Sequence, residues 1–372
     1  MKKRRPQIIF VFGTRPEVIK LAPVILTLKK NKNIKVTLIS VGQHDQLLNE
    51  SLAAFNLKAQ INLKIMKHGQ TISEIVSRAF FELNTVFASL KAKMTIVVGD
   101  TASAFAAAVV SSYHQIPVVH IEAGARTDKF YEPFPEEINR RLISAVTLWH
   151  FPSTKKMKNN LIREHINKKN IFLFGSTEID ALNWILENTS GSSIKKTLPQ
   201  LNTTKSLIII TLHRRESWGA PMKQVFSAIK HIARKHSHIQ FIYSTHPNPL
   251  IADAAVNALS RVNNVIVVSH IAPVPFMHLV NKSSLIMTDS GGIQLQAGAL
   301  LKPVLILRNV TEWPELIECG IGRLVGTNKK TIVAAFEDYM SKKWPKKLPN
   351  KSIYQKGAAD KIAKIIFSKI LT

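Results

Sequence analysis

Short apolar runs rich in β-branched residues alternate along this chain with longer stretches whose apolar positions recur every three or four residues. QIIFVFG at 7–13 precedes PEVIKLAPVILTLKK, VTLISVG at 36–42 precedes a polar segment, MTIVVGD at 94–100 precedes TASAFAAAVVSSYH, and IPVVHIEAG at 116–124 leads to PEEINRRLISAVT. The first kind reads as buried strand and the second as amphipathic helix, an alternation that predicts βαβ units around a parallel sheet. The pattern breaks at 177–205, where one helical stretch gives way to a Ser/Thr/Gly/Lys-rich segment, and then restarts with LIIITLHR, IQFIYSTHP, VIVVSH, LIMTDSGG and PVLILRN. The expected fold class is therefore α/β, with two Rossmann-like doubly wound parallel-sheet domains and a cleft between them. The domains are expected at 1–177 and 178–354, with the amphipathic helix in 355–372 packing back on the first.

In open parallel sheets ligands bind beyond the carboxyl ends of the strands, which directs attention to the loops GTRPE, VGD, HIEAGAR, TLHRRE, STHP and TDSGG. In the last of these, Ser290, Gly291 and Gly292 open a helix and offer bare backbone N–H groups at its positive end, a seat for a phosphate. The other reading is a helix capped by Ser290 itself, with glycines that only permit close packing. Arg15 and Lys20 follow the first strand, and His213, Arg214 and Arg215 follow the first strand of the second half. Guanidinium groups converging on one cleft would hold a diphosphate and stabilise it as it departs. Asp100, Glu122 and Glu136 stand at a strand end, the next strand end and a helix start. Three such acids can hold different pKa values, as acid–base chemistry requires, although Glu136 and Glu137 also suit a helix N-terminus for electrostatic reasons alone.

Composition narrows the alternatives. The single cysteine, Cys319, excludes an internal disulfide framework and is expected as a small buried apolar residue in a cytoplasmic protein. The basic start MKKRRPQ is followed by too short an apolar run for a secretory signal, and no stretch approaches the length of a membrane span. Lys and Arg number 51 against 24 Asp and Glu, a net charge of +27, but the lysines are scattered through loops and helix surfaces without aromatic interleaving. That distribution predicts a solvated basic surface rather than a nucleic-acid or membrane face. His44, His68, His120, His213 and His246 show no close ligand spacing, so no metal is expected. The glycine fingerprint of nicotinamide binding is missing as well.

The ordered set FGTRPEVIKLAPVI, VGQHDQLL, VVGDTASAFAAA, HIEAGARTDKFYEPFPEEINRRLI, TLHRRES, HPNP, TDSGGIQLQA and KPVLILRNVTEWPE resembles, over nearly the whole chain, the non-hydrolysing UDP-N-acetylglucosamine 2-epimerases. The resemblance implies a GT-B-like fold, a cytosolic homodimer, no dissociable cofactor, and a UDP-sugar substrate whose UDP is eliminated to a 2-acetamidoglucal and added back, for surface polysaccharide synthesis. It assigns Arg15, His213, Ser290 and Gly291 to the diphosphate, Phe276 to the uracil, Arg140 to the substrate side, and Asp100, Glu122 and Glu136 to the essential acids. Gln43, Gln46, Gln70, Arg214 and His246 match an allosteric UDP-GlcNAc site found in some members, with Gly69 where those members have arginine. The chain departs from the family at Leu295 and Gln296, where two glutamates are usual and the second accepts from the ribose hydroxyls, at Trp313 in place of arginine, and at Ser176 in place of asparagine. Such departures suit an epimerase of a modified UDP-sugar, such as a 2,3-diacetamido uronate. A hydrolysing epimerase releasing ManNAc, a GT-B glycosyltransferase and a nucleotide-binding protein without turnover are the remaining alternatives.

Overall fold

The computed structural model describes residues 5–371 apart from 43–44, 68, 128, 215–216, 246–248, 269, 351 and 353. The chain divides into two compact units, Met1–Trp184 with Lys356–Thr372, and Ile185–Gln355. In the first unit the order is β1 (Gln7–Phe12), α1 (Arg15–Lys29), β2 (Lys35–Ser40), α2 (Asp45–Ala54), β3 (Ile61–Asn62), α3 (Ile72–Ser89), β4 (Ala92–Val98), α4 (Ala102–Tyr113), β5 (Val118–Ile121), α5 (Glu136–Val146), β6 (Trp149–Phe151) and α6 (Lys155–Arg163). Helix α7 (Thr177–Asn188) begins in the first unit and ends in the second. The second unit continues with α8 (Ser193–Thr197), β7 (Ser206–Thr211), α9 (Ala220–Lys235), β8 (Ile239–Ser244), α10 (Pro249–Leu259), β9 (Val265–Val268), α11 (Pro273–Lys282), β10 (Leu285–Thr288), α12 (Gly291–Ala299), β11 (Val304–Ile306), α13 (Glu315–Glu318), β12 (Gly322–Leu324) and α14 (Lys329–Met340). Helix α15 (Ala358–Leu371) belongs to the first unit again.

Each unit holds a six-stranded sheet of parallel pairs, ordered β3-β2-β1-β4-β5-β6 and β12-β11-β10-β7-β8-β9. Counted from its own first strand, each sheet has the same doubly wound order, and the fold class expected from the alternating pattern is the one observed. The central strands are buried over most of their length: Ile8 through Phe12 and Ile208 through Leu212 are at most 1% exposed. Continuous apolar runs of this kind are what a sheet covered on both faces demands. Edge strands β3, β6 and β12 are two or three residues long and stand out from their surroundings by no periodicity.

In both sheets the winding reverses between neighbouring central strands, β1 and β4 in one and β7 and β10 in the other. These switch points leave a crevice at the strands' carboxyl ends where helices turn away in opposite directions. Helix α15 packs on α1, where Thr27 Oγ1 donates to Asp360 Oδ1 at 2.9 Å. Asp180 of α7 accepts from the Gly357 and Ala359 N–H groups and so caps its start. Cys319 is half-buried rather than buried, because its short helix α13 lies near the surface, and its Sγ donates to the Leu316 carbonyl. Among the described residues no helix is long and apolar enough to cross a membrane.

Candidate active site

At the first switch point the chain leaves β1 through Gly13 and Thr14 into α1, and leaves β4 through Gly99 and Asp100 into α4. Glu17, only 3% exposed, ties the two loops together. Its Oε2 accepts from the N–H groups of Gly13 at 3.0 Å and Thr14 at 2.7 Å and from the Thr14 hydroxyl at 2.8 Å, while Oε1 accepts from Thr101 Oγ1 at 2.7 Å. Burial pushes the Glu17 carboxyl upward, and the hydrogen bonds from Thr101, Gly13 and Thr14 oppose that rise. Arg15 stands at the start of α1, its pKa lowered by burial against the opposing pull of Glu50.

Four of the residues singled out in the sequence form two charge pairs here. Lys20 Nζ bonds Glu122 Oε2, and Arg140 Nε bonds Asp100 Oδ2 at 2.7 Å. Burial works against the Lys20 ammonium, but Glu122, Glu178 and Asp100 outweigh it and hold its pKa above the ordinary lysine value. Burial likewise opposes Arg140, and Asp100 with Glu137 reverses the effect. Glu122 adopts φ +62°, a left-handed conformation unusual for a residue with a side chain, and the turn aims it beside Gly99. Asn139 Nδ2 donates to the Asp100 carbonyl at 2.8 Å, and the His120 Nε2–H donates to the Gly99 carbonyl at 2.7 Å. Burial drives the His120 pKa down to about 3, so the ring is neutral. Glu136 opens α5, and its Oε2 is buried with no hydrogen-bond partner among the described residues. Its neighbour Glu137 is fully buried and engaged by Arg140, Arg141 and the Thr127 N–H, which separates a structural acid from one with an open oxygen.

The second switch point is arranged around Asp289, which is fully buried. Its carboxylate accepts from the His213 N–H at 2.9 and 3.1 Å, the Arg214 N–H at 2.9 Å and Ser217 Oγ at 2.9 Å. At the ends of the two strands, just before Asp289, Thr211 and Thr288 join β7 to β10 through their hydroxyls at 2.6 Å. Ser290 sits at the N-cap position of α12, but its side chain makes no capping hydrogen bond, so the self-capped reading of TDSGG does not hold. Gly291 and Gly292 therefore present the start of a helix to whatever anion arrives.

The remaining candidates are more dispersed. Phe276 lies on α11, and Gln296 is buried in α12, 5% exposed. Gln46 bonds Glu50 within α2, and Gln70 accepts from the Lys67 N–H and donates to the Ile65 carbonyl, both in the first unit, whereas Arg214 is in the second. Gln43 and His246, with His44, His68 and Arg215, lie outside the described residues. No group of three His, Cys, Asp or Glu side chains is placed to hold a metal among the described residues. Sequence reasoning passed over Glu17 and Asp289. Glu17 three residues after Thr14 reads as routine helix capping, and Asp289 as part of a turn; only the neighbouring strands reveal what they join.

The sequence profile of UDP-N-acetylglucosamine 2-epimerase matches residues 26–367. A UDP-N-acetylglucosamine 2-epimerase of Neisseria meningitidis is 40% identical over 334 residues, covering 89% of this chain and 90% of the relative. A crystal structure of UDP-GlcNAc 2-epimerase from Neisseria meningitidis bound to UDP-GlcNAc superposes with a TM-score of 0.90 at 38% identity, covering 98% of this chain and 99% of that one. A glycosyltransferase from Rickettsia africae shares the fold alone, with a TM-score of 0.57 at 11% identity.

Proposed function

This chain belongs to the UDP-N-acetylglucosamine 2-epimerase family, and from that membership we propose that it interconverts UDP-GlcNAc and UDP-ManNAc by removing and restoring UDP. The C2 hydrogen is not adjacent to a carbonyl, so enolisation cannot acidify it. A base instead takes the C2 proton as the C1–oxygen bond breaks, leaving a 2-acetamidoglucal and free UDP. Delivery of a proton to the opposite face of C2, with the UDP oxygen re-forming its bond to C1, completes the inversion. Such a route needs acid–base groups and a firm hold on a departing diphosphate.

The observation that carries this reading is the acid set at the first switch point. Asp100 and Glu122 each face a cation, and Glu136 keeps a buried oxygen without a partner, which suits it to accept a proton from substrate. Arg15, Lys20 and Arg140 are suited to the substrate's negative charge on chemical grounds. In the second unit, His213, Ser290, Gly291 and Gly292 are assigned to the diphosphate, Phe276 to the uracil and Gln296 to the ribose. Self-association into a homodimer is supported by Phe81 and Tyr113, 71% and 80% exposed on the packed helices α3 and α4. Light scattering tests that state.

The decisive experiment incubates the protein with UDP-GlcNAc in D2O. The expected products are UDP-ManNAc and UDP-GlcNAc carrying deuterium at C2. Free ManNAc would identify a hydrolysing epimerase, and sugar transfer to an acceptor without C2 exchange would identify a glycosyltransferase.

A further inference from the structure

The second switch point already holds an anion, and the chain supplies it. Glu312 follows β11, and its Oε1 accepts from Arg214 Nη2 at 2.7 Å and from Arg308 Nη1 at 3.3 Å. Its Oε2 hangs over the first residue of α12, where a Cβ added to Gly291 would come within 2.2 Å of it. Two guanidinium groups and a helix start thus converge on one carboxylate. Burial works against its charge, but Arg214 and Arg308 outweigh that and keep its pKa below the usual carboxylate range.

Trp313 gives an independent sign that another group is meant to sit here. The residue is 6% exposed, its indole Nε1 lies 3.6 Å from the same Gly291 position, and that N–H has no partner among the described residues. An indole N–H can only donate, and leaving it buried and unpaired is costly unless an acceptor arrives. Its placement is fixed: Thr311 Oγ1 donates to Gln294 Oε1 at 2.6 Å and accepts the Trp313 backbone N–H at 3.0 Å, and Tyr354 packs edge-on against the indole at 5.5 Å.

We propose that Arg308 and Trp313 belong to the diphosphate-binding set of this chain, and that Glu312 is an internal competitor that holds Arg214, Arg308 and the start of α12 until a diphosphate displaces it. The inference rests on the UDP-sugar reading above. A diphosphate offers more negative charge and more acceptor oxygens than one carboxylate, so it wins the site. Glu312 has a solvent route out, its side chain being 50% exposed, whereas Arg308 is 11% exposed and stays in place. The affinity measured for UDP is then the intrinsic affinity reduced by the fraction of molecules in which Glu312 has moved aside.

Calorimetric titration of the full chain with UDP and with uridine, which lacks the diphosphate, tests the proposal. Glu312→Gln is expected to tighten UDP by roughly three- to tenfold, by raising the competent fraction, and to leave uridine unchanged. Arg308→Gln and Trp313→Phe are expected to weaken UDP, again with uridine unchanged. A Glu312→Gln protein that binds UDP no better than wild type, or one in which UDP and uridine shift together, overturns the proposal while C2 exchange in D2O still stands. Wild-type protein that neither binds UDP nor exchanges C2 overturns the UDP-sugar reading, and this inference with it.

Discussion

At the β1/β4 junction Glu17 takes hydrogen bonds from the loops on both sides, and at the β7/β10 junction Asp289, itself in the later loop, takes them from the earlier one. Glu17 lies on the helix after the earlier strand and reaches across to the later loop, whereas Asp289 follows the later strand and reaches back. Each clamp solves one mechanical problem, since two loops diverging from adjacent parallel strands have nothing in the ladder to hold them together. The equipment they carry differs. Around Glu17 stand Asp100, Glu122 and Glu136 with Lys20 and Arg140; around Asp289 stand Arg214, Arg308 and a helix start that Ser290 does not cap, with Glu312 as their anion. On the proposed function one topology serves proton chemistry in one unit and anion binding in the other, and the difference lies in loop side chains rather than in the sheets.

The sharpest test of that division is Glu136→Gln, expected to slow C2 exchange by about a hundredfold to ten-thousandfold while calorimetry finds UDP binding close to wild type. An equal loss of UDP affinity would break the division. The two clamps should separate next. Asp289→Asn replaces one of two fully buried acceptor oxygens by a donor that faces three donor groups, and is expected to cost on the order of 2–4 kcal/mol of stability in chemical denaturation, with weaker UDP binding. Glu17→Gln keeps an acceptor but loses charge and symmetry, and should lower kcat roughly tenfold to hundredfold with KM little changed.

Acid sensitivity gives the smallest effect, and it falls on the first unit. His120 is held neutral with a pKa of about 3 and His150 with one of about 4, both depressed by burial from the ordinary value near 6.5. The unfolded chain therefore binds protons at these sites before the folded chain does. Their contribution to stability is complete above the unfolded value, declines as pH falls below it, and is gone once pH passes the folded values. His120→Gln should flatten the fall in Tm between the ordinary value near pH 6.5 and about pH 3, the window set by the His120 shift. An unchanged slope would remove His120 from the account.

The fold was readable because the strands that build it are unbroken apolar runs. Each edge strand of two or three residues has too few positions to show a period, and β3, β6 and β12 escaped notice for that reason. Cations, acids and glycines at strand ends were conspicuous because such residues interrupt apolar runs. The pairings among them were invisible: Lys20 and Glu122 lie 102 positions apart, and Asp100 and Arg140 lie 40 apart. Trp313 drew attention only as a departure from a pattern and Glu312 not at all, since their meaning depends on how both crowd the space over Gly291.

Helix α15 has a consequence for how the protein comes to exist. The second unit is one continuous stretch of chain, so on a ribosome every part of it emerges before residues 358–371 do. The first unit, although its sheet is made earliest, waits for its last helix to dock on α1 and on Asp180. During synthesis the later-encoded unit can therefore finish first, and the unit carrying the carboxylates is completed last. A nascent chain stalled shortly before α15 would hold its second unit intact while the first still lacked a wall.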